Sequence, residues 1–363
     1  MFKRALDDAI ADIRERLDEY VGSYPHVSTN GSYKKEPNAL WTSSFWIGMV
    51  YLCYDYTRDE RFLKHRDGYL NDFKKRLETG YTDTHDLGFL FTLSSVALYK
   101  LTGDKQARRM AIEAAYKLAK RYHKRGKYIK AWENETMKVD LMIDTMMNLP
   151  LLFWAAEESG DGSLARIAVD HAKTTAKTLV RHDGSTYHIY LVDLNTGTPL
   201  TGKTYQGRCD ESTWARGQAW AIYGFALCYK YTRDRNFLQF AKKAADYFLT
   251  RLPQDSVPYW DLSFTDQNPD LKDSSAASIA VCGLLELATH LDGSGDMYLQ
   301  IGKEILSSLY QKYYNRENKA LSSGLILEGV YHRNDGANEF TIWGDYFYLE
   351  ALVRVNKQWR SFW

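Results

Sequence analysis

Lys138-Val-Asp-Leu-Met-Ile-Asp-Thr-Met-Met-Asn-Leu-Pro-Leu-Leu-Phe-Trp154 sets carboxylates into a run that is otherwise apolar, and no charge follows Asp144 until Glu157. On a helix, Leu141, Met142, Ile143, Met146, Met147, Leu149, Leu151 and Leu152 would cover nearly every face, while Asp140, Asp144 and Asn148 at i, i+4 and i+8 would share one stripe. A helix that is apolar nearly all round must be buried nearly all round, so the stretch predicts an enclosed helix over 139–157. A carboxylate in such a place is costly unless it is paired, neutralised or turned to a polar cavity, and each of these shifts its pKa. Asp144 is therefore a candidate acid, with a buried Asp that caps a loop or pairs with an Arg as the alternative.

Outward from this stretch, helices of two kinds alternate. One kind is apolar or small on most faces; the other is amphipathic and rich in Lys, Arg and Glu. An amphipathic helix at 3–20 and a turn-rich segment precede the apolar 41–56 and the charged 59–78. The pair then recurs as 85–101 with 104–122, 139–157 with 163–181, 213–231 with 234–251, and 274–290 with 296–313, and 341–355 ends the series. Tyr56-Thr-Arg-Asp59, Leu101-Thr-Gly-Asp104, Ser159-Gly-Asp161, Tyr231-Thr-Arg-Asp234 and Asp292-Gly-Ser-Gly-Asp296 are short joints ending in an Asp that can cap the next helix. Six apolar and six amphipathic helices, with the first helix serving as outer partner of the last, predict an all-α fold: a closed (α/α)6 barrel in a single domain over 1–363. An open solenoid would need polar terminal caps, whereas Trp343-Gly-Asp-Tyr-Phe-Tyr-Leu-Glu-Ala-Leu reads as core. Within 183–212, Tyr187-His-Ile-Tyr-Leu-Val alternates as a strand does, which predicts a short β-like insertion.

Composition narrows the function. The chain has 363 residues, 45% of them hydrophobic, and its 47 Lys+Arg against 46 Asp+Glu leave a net charge of +1. No basic run reads as interleaved with aromatics in the manner of a nucleic-acid groove, and no apolar run reaches spanning length, so neither nucleic acid nor membrane is expected as a partner. The charged N-terminus lacks a leader pattern, which predicts a cytoplasmic protein. Cys53, Cys209, Cys228 and Cys282 lack metal-ligand spacing and suit reduced thiols. The anomaly is aromatic content, 14% with 10 Trp and 27 Tyr. Several Trp stand beside polar residues near helix starts, a combination suited to stacking on sugar rings.

In an alternating barrel the inner helices run one way, so their N-termini gather at one mouth. These contribute Trp41; His85 and Asp86; Asp140 and Asp144; Trp214, Arg216 and Trp220; Ser274 and Ser275; and Trp343 with Asp345. Singly, Asp86, Asp210, Ser274 and Ser275 could be N-caps and Arg216 a buried partner of Asp144. Together, two carboxylates on different helices with an Arg, a His and several Trp suit an anionic carbohydrate.

His85-Asp-Leu-Gly-Phe89, Asp144-Thr-Met-Met-Asn-Leu-Pro-Leu-Leu152, Gln206 with Asp210-Glu-Ser-Thr-Trp-Ala-Arg-Gly-Gln-Ala-Trp220, and Trp343-Gly-Asp-Tyr346 resemble the unsaturated glucuronyl hydrolases, glycoside hydrolase family 88, through nearly the whole chain. The resemblance implies the same barrel, no cofactor and no metal. It implies action on lyase-generated oligosaccharides, of glycosaminoglycan type, that carry a C4=C5 unsaturated uronic acid at the non-reducing end. Carried over by motif, Asp144 takes the place of the general acid and base and Asp86 that of a second essential carboxylate. His188 and Gln206 would hold ring substituents, Arg216 would face the uronate carboxylate, and Trp41, Trp132, Trp214 and Trp220 would form aromatic walls. His85 and Tyr331 complete the expected substrate contacts. The segment 330–340 departs from the family's pattern where the next sugar would lie. A monomer or weak homo-oligomer is expected. The rival readings are an unsaturated rhamnogalacturonyl hydrolase acting on pectin fragments, a sugar epimerase on the same barrel using His85 and His188, and a non-catalytic sugar-binding protein, which would have no use for Asp144.

Overall fold

The computed structural model describes residues 1–363 except 134–137, 140, 194, 294, 318 and 319, and except the side chains of 132, 133, 138 and 139. Its helices are α1 (Phe2–Glu15), α2 (Phe45–Thr57), α3 (Arg66–Thr79), α4 (Leu87–Phe91), α5 (Ala97–Thr102), α6 (Lys105–Ala119), α7 (Leu149–Ser159), α8 (Gly162–Thr178), α9 (Ala215–Thr232), α10 (Arg235–Thr250), α11 (Ser274–Ala288), α12 (Gly295–Ser308) and α13 (Ile342–Asn356). A π turn at Thr92–Val96 joins α4 to α5, which together make one inner helix. The inner helices close a ring. The π turn and α5 pack beside α2, α7 beside α4, α9 beside α7, α11 beside α9, and α13 beside both α11 and α2. Outside them, α3 and α6 cover the α4–α5 helix, α8 covers α7, α10 covers α9, α12 covers α11, and α1 covers α13. The architecture is the expected (α/α)6 barrel.

The joints explain why each inner helix turns straight back into an outer one. Arg58, Gly103, Gly160 and Arg233 end their helices in the left-handed region, and the next residue, Asp59, Asp104, Asp161 or Asp234, accepts backbone N–H groups of the following turn. Two residues before each Asp stands a Thr or Ser whose hydroxyl accepts the Asp N–H, at 3.2–3.3 Å. The fifth joint differs: Asp296 lies inside the first turn of α12.

The predicted helix over 139–157 is corrected. Leu141–Met142 is a strand paired with Ile189 and Tyr190, Ile143–Met147 is a 3-10 turn, and the α-helix begins only at Leu149. Pro150 accounts for the start, because its ring opposes helix at the residues before it and suits the first turn. The β-like insertion is present as Ile189–Val192 paired with Pro199–Lys203, and it takes Leu141–Met142 as a third strand. Ser274 and Ser275 do not cap α11. Asp273 does, accepting Ser275 N–H at 3.0 Å and Ala276 N–H at 3.3 Å. Asp210 is not a cap either; it accepts from Lys203 Nζ at 2.6 Å and Thr204 N at 3.0 Å.

Much of the aromatic excess fills the barrel axis. Phe45, Phe89, Trp220, Phe347 and Trp363 form a continuous cluster from four inner helices and the C-terminal segment, with Phe89 and Trp220 ring centres 5.3 Å apart and Phe347 stacked on Trp363 at 5.9 Å. Cys53, Cys228 and Cys282 are buried free thiols on inner helices and Cys209 is an exposed one. Among the described residues no helix is long and apolar enough to cross a membrane.

Candidate active site

Two glycines press the 3-10 turn that carries Asp144 into place from either side. A Cβ on Gly88 would lie 2.2 Å from the Asn148 Cα, and one on Gly224 would lie 2.5 Å from the Met146 Cβ, so α4 and α9 approach the turn as closely as backbone allows. Asn148 then ties the parts together. Its Oδ1 accepts the Phe89 N–H at 2.8 Å, and its Nδ2 points to Asp86 Oδ1 at 3.4 Å and to the Asp144 carbonyl at 3.5 Å. Asp86, at the head of α4, also accepts the Thr84 hydroxyl at 3.0 Å and has His85 Nε2 at 3.5 Å. The far nitrogen of His85 meets Thr145 Oγ1 at 2.7 Å, and burial lowers the pKa of this imidazole.

These residues open on a cavity of about 280 Å³ lined by Trp41, His85, Asp86, Phe89, Met142 and Asp144, with Tyr205, Gln206, Arg216 and Tyr331 across from them. The Asp144 side chain is 17% exposed, but its Oδ2 is sealed from solvent and has no hydrogen-bond partner among the described residues. Its pKa is pushed up to about 7. Burial is the main cause; the Arg216 charge opposes it, Asp86 reinforces it, and the Trp220 indole tempers it without a hydrogen bond of ordinary length.

His188 stands 3.6 Å from that oxygen through Nε2. Its Nδ1 receives the backbone N–H groups of Tyr205 at 3.2 Å and Gln206 at 3.1 Å, so Nδ1 is an acceptor and the proton of the neutral ring belongs on Nε2, facing Asp144. Burial, then the charge of Arg216, depress the His188 pKa to about 3 and keep the ring neutral.

Arg216 is held far more tightly than an Arg between two Trp suggests. It pairs with Asp273 at 3.3 Å and donates to the carbonyls of Val330 and, at 2.8 Å, Tyr331. Trp214 and Trp343 lie against its guanidinium, 4.2 and 5.2 Å from their ring centres. Asp144, the expected alternative partner, feels its charge without a hydrogen bond. Gln206 Nε2 reaches the same Tyr331 carbonyl at 2.7 Å, bridging the three-stranded insertion to the hairpin of Gly329–His332 and Asp335–Glu339.

Of the sequence candidates, Trp41, His85, Asp86, Asp144, Gln206, Arg216 and Tyr331 line one cavity, with His188 against Asp144. Trp214 and Trp220 do not line it. Trp214 lies tilted against His188 with ring centres 4.3 Å apart, and Trp220 is wholly buried in the axial cluster. Trp132 pairs with Val139 in a short hairpin; its side chain and the whole of Asp140 lie outside the described residues. Asp345 lies beneath the mouth, bonded to Tyr33 and to the Leu325 and Ile326 N–H groups. Sequence reasoning missed Asp273 and His26. His26 packs edge-on to Tyr331 at 4.9 Å, and Asp273, adjacent to the two serines, was the signal for the true cap.

The sequence pattern of Glycosyl Hydrolase Family 88 matches residues 16–357. The unsaturated chondroitin disaccharide hydrolase of Streptococcus agalactiae serotype III is 40% identical over 99% of this chain and 93% of its own. The unsaturated glucuronyl hydrolase of Bacillus sp. strain GL1 is 38% identical over 100% of this chain and 99% of its own. The crystal structure of the Bacillus sp. GL1 enzyme, described as responsible for the degradation of glycosaminoglycan, superposes with a TM-score of 0.94 over 98% of this chain and 97% of that one.

Proposed function

The chain belongs to glycoside hydrolase family 88, and from that premise we propose that it removes the C4=C5 unsaturated uronic acid from the non-reducing end of lyase-generated, glycosaminoglycan-type oligosaccharides, with residues 1–363 as one catalytic unit. In such a sugar the double bond belongs to a vinyl ether. Asp144, protonated at rest, gives its proton to C4, and positive charge develops at C5 and the ring oxygen. The carboxylate that remains takes a proton from water as the water oxygen bonds to C5. The resulting hemiketal opens by breaking the bond from C5 to the ring oxygen. C1 is then a hemiacetal, which expels the remaining sugar as an alcohol.

The other residues are assigned by what surrounds them. Asp86 opposes ionisation of Asp144. His188, neutral with its proton on Nε2, and Gln206 hold ring substituents; His85 orients Asp86. Arg216 supplies the positive charge for the uronate carboxylate, and Trp41 and Tyr331 flank the ring.

The observation that carries this reading is the sealed, unpaired oxygen of Asp144 beside a second carboxylate in one sugar-sized cavity. Its test is the fate of the double bond. Turnover of an unsaturated uronyl disaccharide should abolish the conjugated ultraviolet absorbance, and heavy water should leave one deuteron at C4. Asp144→Asn should bind the disaccharide and lose about 10²–10⁴-fold in rate, the usual worth of a proton-transfer group. Release of the aglycone with absorbance intact would refute hydration. Since the reaction needs the protonated acid, activity should fall as pH rises through about 7.

A further inference from the structure

Outer helices run against inner ones, so the segments that follow α3, α6 and α10 all lie on the rim of the mouth. Their charges are unequal. The sequence does hold one basic run interleaved with aromatics, contrary to expectation: between residues 114 and 132 there are seven Lys or Arg and no Asp or Glu, with Tyr116, Tyr122, Tyr128 and Trp132 among them, in a chain whose net charge is only +1. Residues 251–273 hold five Asp against one Arg and one Lys, but Asp261 and Asp273 are buried and Asp255 and Asp270 pair with Lys272 and Arg333, so that stretch presents no comparable excess of charge.

The basic segment is built rather than merely exposed. Tyr122–His123 pairs with Tyr128–Ile129 in a tight hairpin, and Arg121 pins its base by donating to the carbonyls of Lys130 at 2.8 Å and Ala131 at 3.0 Å. The Ala131 carbonyl also accepts the His85 N–H at 3.0 Å, so this hairpin and the catalytic wall share a backbone anchor. Between them lies a surface hollow of about 420 Å³ lined by Thr82, Asp83, Lys117, Lys120, Arg121 and Lys130. Thr82 is four residues from Asp86, which limits their separation to about 14 Å. Lys117 and Arg121 have acidic neighbours, Glu113 and Asp83, whereas Lys120, Lys124, Lys127 and Lys130 form no ion pair among the described residues. Cations near the end of α6 suit the helix dipole, but those beyond Arg121 are outside its reach.

We infer that this basic rim anchors the anionic groups, carboxylate or sulfate, of substrate sugars beyond the second unit, so that the enzyme gains affinity for unsaturated tetrasaccharides that it does not gain for disaccharides. The inference rests on the reading of the reaction given above. An excess of positive charge on this rim would draw a polyanionic chain out over the 117–130 side.

The test compares wild type with the combined variant Lys120→Gln, Lys124→Gln and Lys130→Gln. Each is followed by absorbance loss on an unsaturated disaccharide, an unsulfated tetrasaccharide and its sulfated counterpart, in dilute buffer and in 0.3 M salt. In dilute buffer the variant's KM for tetrasaccharides should rise about five-fold with kcat unchanged, and its disaccharide KM should move less than two-fold. The difference should shrink in salt, where screening shortens. A rise on both tetrasaccharides identifies the distal carboxylate, and a rise on the sulfated one alone identifies sulfate. Equal KM values for the tetrasaccharides in the two enzymes, or an equal rise on the disaccharide, would overturn the rim. Failure of wild type to consume any of the three would instead overturn the reaction on which it rests.

Discussion

Glu286 at the floor of the barrel and Asp144 at its mouth are both enclosed carboxylic acids on the inner ring, and their pKa values are driven in opposite directions. Burial alone would raise Glu286, but Arg354, His290 and Lys230 outweigh it and hold its pKa well below the usual carboxylate range. Its oxygens meet Arg354 at 2.6 Å and His290 at 3.1 Å. Glu350 is likewise complete, with Arg354, the Tyr223 hydroxyl and the Trp363 indole around it. Asp144 receives no such company. Arg216, whose charge reaches it, is committed to Asp273 and two backbone carbonyls. The floor is arranged to satisfy its charges; at the mouth Asp144 stands where ionisation is unfavourable and its Oδ2 has no partner among the described residues, which costs stability and is what the proposed proton transfer requires.

Breaking the floor should have the largest effect. Arg354→Met strands Glu286 and Glu350 as buried charges, and a loss of about 3–5 kcal/mol in denaturant-measured stability is expected. A loss below about 1 kcal/mol would show that the floor is not paired as described.

Neutralising the mouth should do the reverse. The folded state raises the Asp144 pKa, so between the ordinary value of 3.8 and about 7 it binds more protons than the unfolded state, and stability is lost as pH rises through that window. Asp144→Asn removes the penalty. At pH 8 the variant should be more stable than wild type by a few kcal/mol, with about 4 as the ceiling from roughly three pKa units, and near pH 4 the gain should vanish. Thermal unfolding at the two pH values reads the difference, and equal stability at pH 8 would mean that Asp144 is not held protonated. Glu286 provides the opposite control, since its contribution should be lost as pH falls below its ordinary value of 4.5.

A smaller change should sharpen the contrast by loosening the mouth without altering its charge. Asn148→Ala removes the acceptor of the Phe89 N–H and the amide that links Asp86 to the Asp144 turn. It should cost about 1–3 kcal/mol in stability for the stranded N–H and reduce kcat more than it raises KM. If kcat is untouched, Asn148 is a packing residue only.

The alternation of enclosed and amphipathic helices was legible in the sequence, because helix periodicity and the Thr-x-Asp or Ser-x-Asp joints act over a few residues. So were the two candidate acids, since Asp144 stands out in an apolar run and Asp86 is the second residue of the His85–Phe89 motif. The shape of the Asp144 segment was not. Leu141–Met142 became strand because Ile189 and Tyr190, nearly fifty residues on, offered a ladder, and Pro150 delayed the helix. Nor could any local pattern say which Trp would face the cavity: Trp41 does, while Trp220 closes the axis. Arg216 found its partners at Asp273, Val330 and Tyr331, and His188 took its tautomer from Tyr205 and Gln206. The sequence by itself determined the helices, their joints and the acids they carry. The tertiary structure alone decided the protonation of Asp144 and the tautomer of His188, because a pKa or a tautomer answers to whatever lies within a few ångströms, and here that neighbourhood comes from segments far apart in the chain.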